Sequence, residues 1–255
     1  MLNIDLSGKI AVITGASGQL GRVMVCTLAR CGADVAIHYF CQREPASALL
    51  ETCHALGVRS MIVQADITAA ESVQNMYEAI VNTLGAPHIL VHNAVIQYQP
   101  WASVLEQPID DYKSQFRSSV MQNVLMAKAF VPDMIRRRYG RIIAINTECV
   151  MQHLPGQSAY VAGKRGMDGV LRVLAREVGE HQITVNQVAP GWTITEQVRQ
   201  EGTQQQAAYT SAVPLKRRGE DQDIANVVAF LASDLASYIT GAFIPVCGGN
   251  IMPAI

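Results

Sequence analysis

Long apolar runs are missing from this chain of 255 residues: no segment reaches the roughly 18 apolar residues a bilayer-spanning helix needs. Its start, Met1-Leu2-Asn3-Ile4-Asp5-Leu6, has no cationic stretch ahead of an apolar core, so the expectation is a soluble, unexported, cytoplasmic protein. Charge of one sign is missing as well. Lys and Arg number 20 against 21 Asp and Glu, and the pI near 6.6 gives no global field that would draw nucleic acid or an anionic membrane. The one basic run, Arg136-Arg137-Arg138, reads as cations at a helix C-terminus. The six cysteines (Cys26, Cys31, Cys41, Cys53, Cys149, Cys247) form no C-x-x-C pair and no metal-ligand spacing, which points to reduced thiols and no metal site. Repeats, low-complexity tracts and Gly/Ser/Pro-rich linkers are also lacking, so residues 1–255 are expected to form one domain.

What is present is alternation. Short β-branched runs at 9–14, 34–39, 60–65, 88–92, 141–146, 183–189 and 242–246 are separated by stretches of helical periodicity at 20–31, 44–56, 70–84, 109–138, 158–180 and 222–235. Parallel strands need such long crossovers. With right-handed connections the pattern predicts an α/β fold: a doubly wound parallel sheet of about seven strands with helices on both faces. At 49% hydrophobic and 16% charged residues the composition suits a sheet buried on both sides. The stretch 191–220 is too long for an ordinary connection, and it is the candidate cover for a substrate.

Two local patterns carry chemistry. The first strand runs into Gly15-Ala16-Ser17-Gly18-Gln19-Leu20-Gly21, which gathers backbone N–H groups and a helix N-terminus at one point where a pyrophosphate can be neutralised. Asp66 after the third strand and Asn93-Ala94 after the fourth add polar groups at the strand ends where such sheets bind ligands, although each taken alone is an ordinary loop residue or cap. The second pattern is Tyr160-Val161-Ala162-Gly163-Lys164 at the head of a helix, with Tyr160 and Lys164 at i and i+4 on one face. An ammonium beside a phenol favours the phenolate and lowers its pKa, making the group a proton donor and acceptor for a carbonyl/alcohol couple.

In order along the chain, these residues resemble the short-chain dehydrogenase/reductase family, including its 3-oxoacyl-[acyl-carrier-protein] reductase-like members. Thr14-Gly15 through Gly21 is similar to T-G-x-x-x-G-x-G, Asn93-Ala94 to part of N-N-A-G, Tyr160 to Lys164 to Y-x-x-x-K, and Asn186 with Pro190-Gly191 to V-N-x-x-x-P-G. Ile239-Thr240-Gly241 and Gly248-Gly249 resemble the family's closing I-T-G and G-G. The resemblance implies a Rossmann-type fold, a nicotinamide cofactor, and proton transfer by Tyr160 with Lys164 also holding the nicotinamide ribose. It implies Thr147, thirteen positions before Tyr160, in place of the family's substrate-orienting Ser, and Ser119 in place of its helix asparagine. Cofactor contacts are implied for Gly15, Ser17, Gly18, Gln19, Leu20 and Gly21 of the turn, for Tyr39 and Arg43 after the second strand, and for Asp66 and Ile67 after the third. Asn93, Ala94, Pro190, Gly191 and Thr193 complete that set. Gln19 replaces the family's middle glycine, His92 its first Asn and Val95 its final glycine.

The second strand ends His38-Tyr39-Phe40-Cys41-Gln42-Arg43, with no carboxylate to bond a ribose 2′-OH and an Arg nearby, so NADP(H) is expected ahead of NAD(H). His92 and His153 lack metal-spaced partners and read as core or loop residues. A small carbonyl or alcohol substrate is expected, with no nucleic acid or membrane partner. A homotetramer is expected too, packed through 109–138 and 158–180 with Val124, Val131, Val170 and Leu171 available for burial. Two other readings stay open: a dinucleotide sensor with little turnover, drawn by Ser119, Thr147 and Val95, and an isomerase or lyase using the same pocket.

Overall fold

The computed structural model describes residues 3–96, 101–202 and 206–253. Seven parallel strands form one sheet in the order β3-β2-β1-β4-β5-β6-β7. They are β1 (Ile10–Ile13), β2 (Asp34–Tyr39), β3 (Ser60–Gln64), β4 (Ile89–His92), β5 (Gly140–Ile145), β6 (Ile183–Pro190) and β7 (Phe243–Val246). All seven predicted strands are found, within one or two residues of the expected ends. Strands β1, β4, β5 and β6 are buried along their whole length, which is why they read as continuous apolar runs. Alternation along β1 feeds two separate cores. Ala11 and Ile13 pack under α1 (Gln19–Arg30), α2 (Arg43–Ala55) and, from the far end of the chain, the helix Asp221–Ala232. Ile10 and Val12 point the other way, toward α3 (Ala70–Thr83) and the apolar stripes of the helices at Gln122–Arg137 and Ser158–Val178.

Chain order reverses between β1 and β4, and the turns leaving these two strands splay to opposite sides of the sheet. That crevice is where an open α/β sheet takes a ligand. Between β4 and β5 the expected single helix is interrupted. It runs as α4 (Ile109–Gln115), a π-helical turn (Phe116–Met121) and α5 (Gln122–Arg137). A π turn inserts one residue and frees carbonyls from the i+4 ladder. Here the freed oxygens of Ser118 and Ser119 accept from the side-chain amides of Gln122 and Asn123, at 2.5 and 2.6 Å.

After β5 comes the short α6 (Cys149–Gln152), then α7 (Ser158–Val178). The stretch 191–220 is not irregular throughout, because it holds α8 (Glu196–Glu201) and α9 (Ala207–Ala212). Its two ends are tied by Ile194, whose N–H donates to Gly219 O at 2.8 Å. A capping box between Glu220 and Asp223 then starts α10 (Asp221–Ala232). Among the described residues no helix is long and apolar enough to cross a membrane.

Candidate active site

The phosphate end is built from close backbone packing. Gly15 has φ +61°, and a Cβ there would stand 2.9 Å from Ala94 Cα, so the turn after β1 and the turn after β4 touch. Asn93 stitches them, its amide donating to Thr14 O and Gly15 O, both at 3.0 Å, while Thr14 Oγ1 accepts from Asn93 N and Ala94 N. Asn93 and Ala94 therefore shape the crevice through the backbone. Helix α1 opens at Gly18 with no side-chain cap and no acid in its first turn, leaving the N–H groups of Gln19, Leu20 and Gly21 for an anion. These residues fit the diphosphate of a dinucleotide. Ser17 lies buried beneath them, while the Gln19 side chain turns outward, its Oε1 accepting from Gln197 N at 3.1 Å.

Tyr39 is buried at the end of β2, and Arg43 is the exposed first residue of α2. Asp66 holds its own loop, accepting from Thr68 N and Thr68 Oγ1 at 2.8 and 2.7 Å, and Ile67 is buried beside it. At the other edge of the crevice Pro190 ends β6, and Thr193 Oγ1 donates to Gly191 O.

The carbonyl end lies past β5. Tyr160 and Lys164 occupy one face of α7, and the Thr147 hydroxyl lies near enough to the Tyr160 phenol to favour its ionised form, against the larger effect of burial. Three of the four residues implied as the catalytic group, Thr147, Tyr160 and Lys164, are thus together. One expectation is not met, since burial pushes the Tyr160 hydroxyl above its ordinary range instead of Lys164 lowering it. The cause is where the ammonium points. Lys164 Nζ donates to Ile145 O at 2.6 Å and sits 5.9 Å from the Tyr160 ring centroid, while burial pulls its own pKa down to about 8.

Ser119 sits in the π turn, wholly buried, and its hydroxyl meets no partner among the described residues. An amide returns one turn later: Asn123 donates to Ser119 O and accepts from His92 Nδ1 at 2.5 Å. Of the two departures from the family pattern, His92 bonds Asn123 through its side chain and Ser119 only through its backbone oxygen. Burial holds His92 at about 4, so it is a neutral core histidine, and His153 closes α6 with a positive φ.

Several contributors carried no signal in the sequence reading. His38 lies inside β2, where its Nδ1 accepts from Gly15 N and its Nε2 bonds Ala65 O, both at 3.0 Å, fixing the phosphate turn against β3. A polar residue within a strand of otherwise apolar neighbours was the available clue. Gln122 ties the π turn to Ala94 O at 2.8 Å. Trp101 packs edge-on against Tyr160, with centroids 5.8 Å apart, and buried Glu148 follows Thr147 directly.

Comparison with known proteins follows the same outline. A family model described as Enoyl-(Acyl carrier protein) reductase matches residues 15–250. The 3-oxoacyl-[acyl-carrier-protein] reductase FabG of Staphylococcus epidermidis is 37% identical over 245 residues, covering 96% of this chain and 99% of that protein. Its counterpart in Pseudomonas aeruginosa is 38% identical over 249 residues, covering 98% and 100%. Among solved structures, the promiscuous reductase LugOII, which catalyses keto-reduction at C1 during lugdunomycin biosynthesis, superposes with a TM-score of 0.89 at 29% identity, covering 97% of this chain and 99% of that one.

Proposed function

The chain belongs to the short-chain dehydrogenase/reductase family, and from that premise we propose that it is an NAD(P)-dependent ketoreductase interconverting a ketone and a secondary alcohol, with Tyr160 as proton donor and acceptor. The observation that carries this is the Thr147 hydroxyl set beside the Tyr160 phenol, next to buried Lys164. Two hydroxyls side by side can each turn a proton toward one carbonyl oxygen, one to orient it and one to protonate it. Tyr160, kept protonated by burial, holds its proton until the oxygen gains charge. Lys164, at about 8, is a cation whose proton is easily exchanged. When bound, the reduced nicotinamide supplies the two electrons and the hydrogen that reach the carbonyl carbon. The sensor reading loses one of its three grounds, because Thr147 places beside the phenol the same hydroxyl a serine would offer.

The domain covers residues 1–255, with 191–220 as substrate cover, a reading supported by the single sheet that carries both ends of the crevice. Cytoplasmic location and the absence of nucleic acid or membrane partners follow from composition and charge. NADP(H) is preferred to NAD(H), since exposed Arg43 stands at the N-terminus of α2 and no carboxylate ends β2. The test uses the purified protein, both reduced nicotinamides, and a carbonyl panel led by the 3-oxoacyl thioesters that the FabG relatives' name points to. Turnover with NADPH is expected, and Arg43→Ala should weaken NADPH about tenfold to a hundredfold while sparing NADH, the scale of lost charge-assisted hydrogen bonds. No turnover with any carbonyl refutes the reductase. Equal binding of both nucleotides, indifferent to Arg43→Ala, refutes the NADP(H) preference.

Self-association into a tetramer is proposed through the α4/α5 and α7 faces, with a change in the residues responsible. Val131 and Leu171 are buried in the core and are not available. The exposed apolar side chains on these segments are Ile109, Phe116 and Val173, and a hollow of about 440 Å³ lined by Phe116, Arg117 and Gly163 lies among them. Light scattering at micromolar concentration should give about four times the 27.7 kDa chain mass, and a single-chain mass would overturn the proposal.

A further inference from the structure

Glu148 is a buried carboxylate, 3% exposed, with no ion-pair partner among the described residues. Such a group is tolerated where donors converge on it. Here they come from separate parts of the chain. The Tyr209 hydroxyl, in α9 of the cover, donates to Oε1 at 2.8 Å, and Asn250 Nδ2 donates to Oε2 at 3.0 Å. The same Tyr209 oxygen accepts from Trp192 N at 2.8 Å, at the start of the cover, and the Trp192 and Tyr209 rings meet edge to face at 5.5 Å. The seat is tight, since a Cβ on Gly191 would lie 2.6 Å from the Tyr209 oxygen.

We propose that Glu148 is a positioning residue of the carbonyl site, which holds the cover shut over its neighbour Thr147 and over Tyr160 by receiving the hydroxyl of Tyr209; this rests on the ketoreductase reading and adds a residue to it. The cover has a second attachment, to the phosphate turn, through Arg22–Glu196 at 2.5 Å and Gln19–Gln197. Those contacts are exposed and screened by salt, so they hold weakly. Nearer the end of the cover Leu215 N–H donates to Gly248 O at 3.1 Å and Val213 is buried, while the part-buried Glu148–Tyr209 bond is the side-chain tie that reaches the carbonyl site. It also suits a cover that must lift, because its two halves separate into groups that water solvates, where an apolar contact would expose surface.

The test is a set of variants read by steady-state kinetics, NADPH titration and tryptic cleavage in the cover, at sites such as Arg199 and Lys216. Tyr209→Phe and Glu148→Ala should each raise KM for the best ketone of the panel about tenfold or more, with kcat within about threefold and NADPH affinity within about twofold. Glu148→Gln, which keeps an acceptor for Tyr209, should restore most of the loss. The Glu148→Ala/Tyr209→Phe double variant should lose much less than the sum of the two single losses, because each already removes the shared Glu148–Tyr209 bond and the bonds to Asn250 and Trp192 N add only the remainder. Cover cleavage should quicken in Tyr209→Phe with the melting temperature unchanged, a readout that needs no turnover and stands even if the wild type reduces no ketone. Additive losses, an equal fall in NADPH affinity, or cleavage at the wild-type rate would overturn the proposal.

Discussion

Tyr160→Phe should lower kcat by about a thousandfold while NADPH binding stays within a few-fold of wild type, within the hundredfold to ten-thousandfold span of positioned proton transfer. The substitution deletes one oxygen and leaves the ring. That ring fixes the wall of the site through its edge contact with Trp101, and it stays where it is, so no cavity opens to confuse the reading. What is lost is the phenol proton beside the Thr147 hydroxyl. Lys164→Met is expected to act more broadly, impairing turnover and nucleotide binding together, since it also strips Ile145 O of a buried donor at 2.6 Å. Initial rates with NADPH and a saturating ketone, alongside a fluorescence titration of NADPH, measure both. A kcat for Tyr160→Phe within a few-fold of wild type would sink the proton-transfer assignment.

The second large effect belongs to a methyl group. In Gly21→Ala the new Cβ would stand 2.3 Å from Gly15 O, 2.8 Å from Ala16 Cα and 2.9 Å from Ala16 O, all backbone atoms that cannot swing aside. Helix α1 must back away from the turn that its N-terminus serves. Overpacking of this kind costs on the order of 1–3 kcal/mol, and here it also displaces the free N–H groups, so NADPH affinity should fall about tenfold to a hundredfold and the melting temperature by several degrees. Gly18→Ala is the control. Its backbone, φ -77° and ψ 175°, suits any residue, and its Cβ would meet only Gly15 O at 3.2 Å. Equal NADPH binding by Gly21→Ala and wild type would refute the turn as the phosphate cradle.

The contrast between these glycines shows what the sequence made legible. Strand runs, crossover helices and the i, i+4 pair depend on periods of two and 3.6 residues, which survive in one dimension, so the seven-strand doubly wound sheet and the Tyr160/Lys164 face could be read directly. The motif placed both glycines in the turn without separating Gly21, which meets backbone, from Gly18, which has room. Contacts between distant segments left no such trace. His38 reaches Gly15 across 23 residues and Tyr209 reaches Glu148 across 61, and neither separation has a period. The π turn at Ser119 was hidden for another reason, since a single wide turn over Phe116–Met121 is shorter than the window in which a 3.6-residue period can be read. Misassigned apolar residues had a simpler cause: Val131 and Leu171 lie on helices with two neighbours, and composition does not say which neighbour an apolar side chain faces.

Asn123 changes how the chain's departures from its family should be counted. Its oxygen holds the His92 ring, and its amide holds the backbone oxygen of Ser119, which any residue at 119 would offer. The letters at 92 and 123 therefore describe one bonded pair, and residue 119 lends it only main chain. A residue at 92 that cannot donate at that distance would leave the Asn123 oxygen without its partner in a place water does not reach. The mismatch at 92 is thus tied to a residue that the family motif does not include.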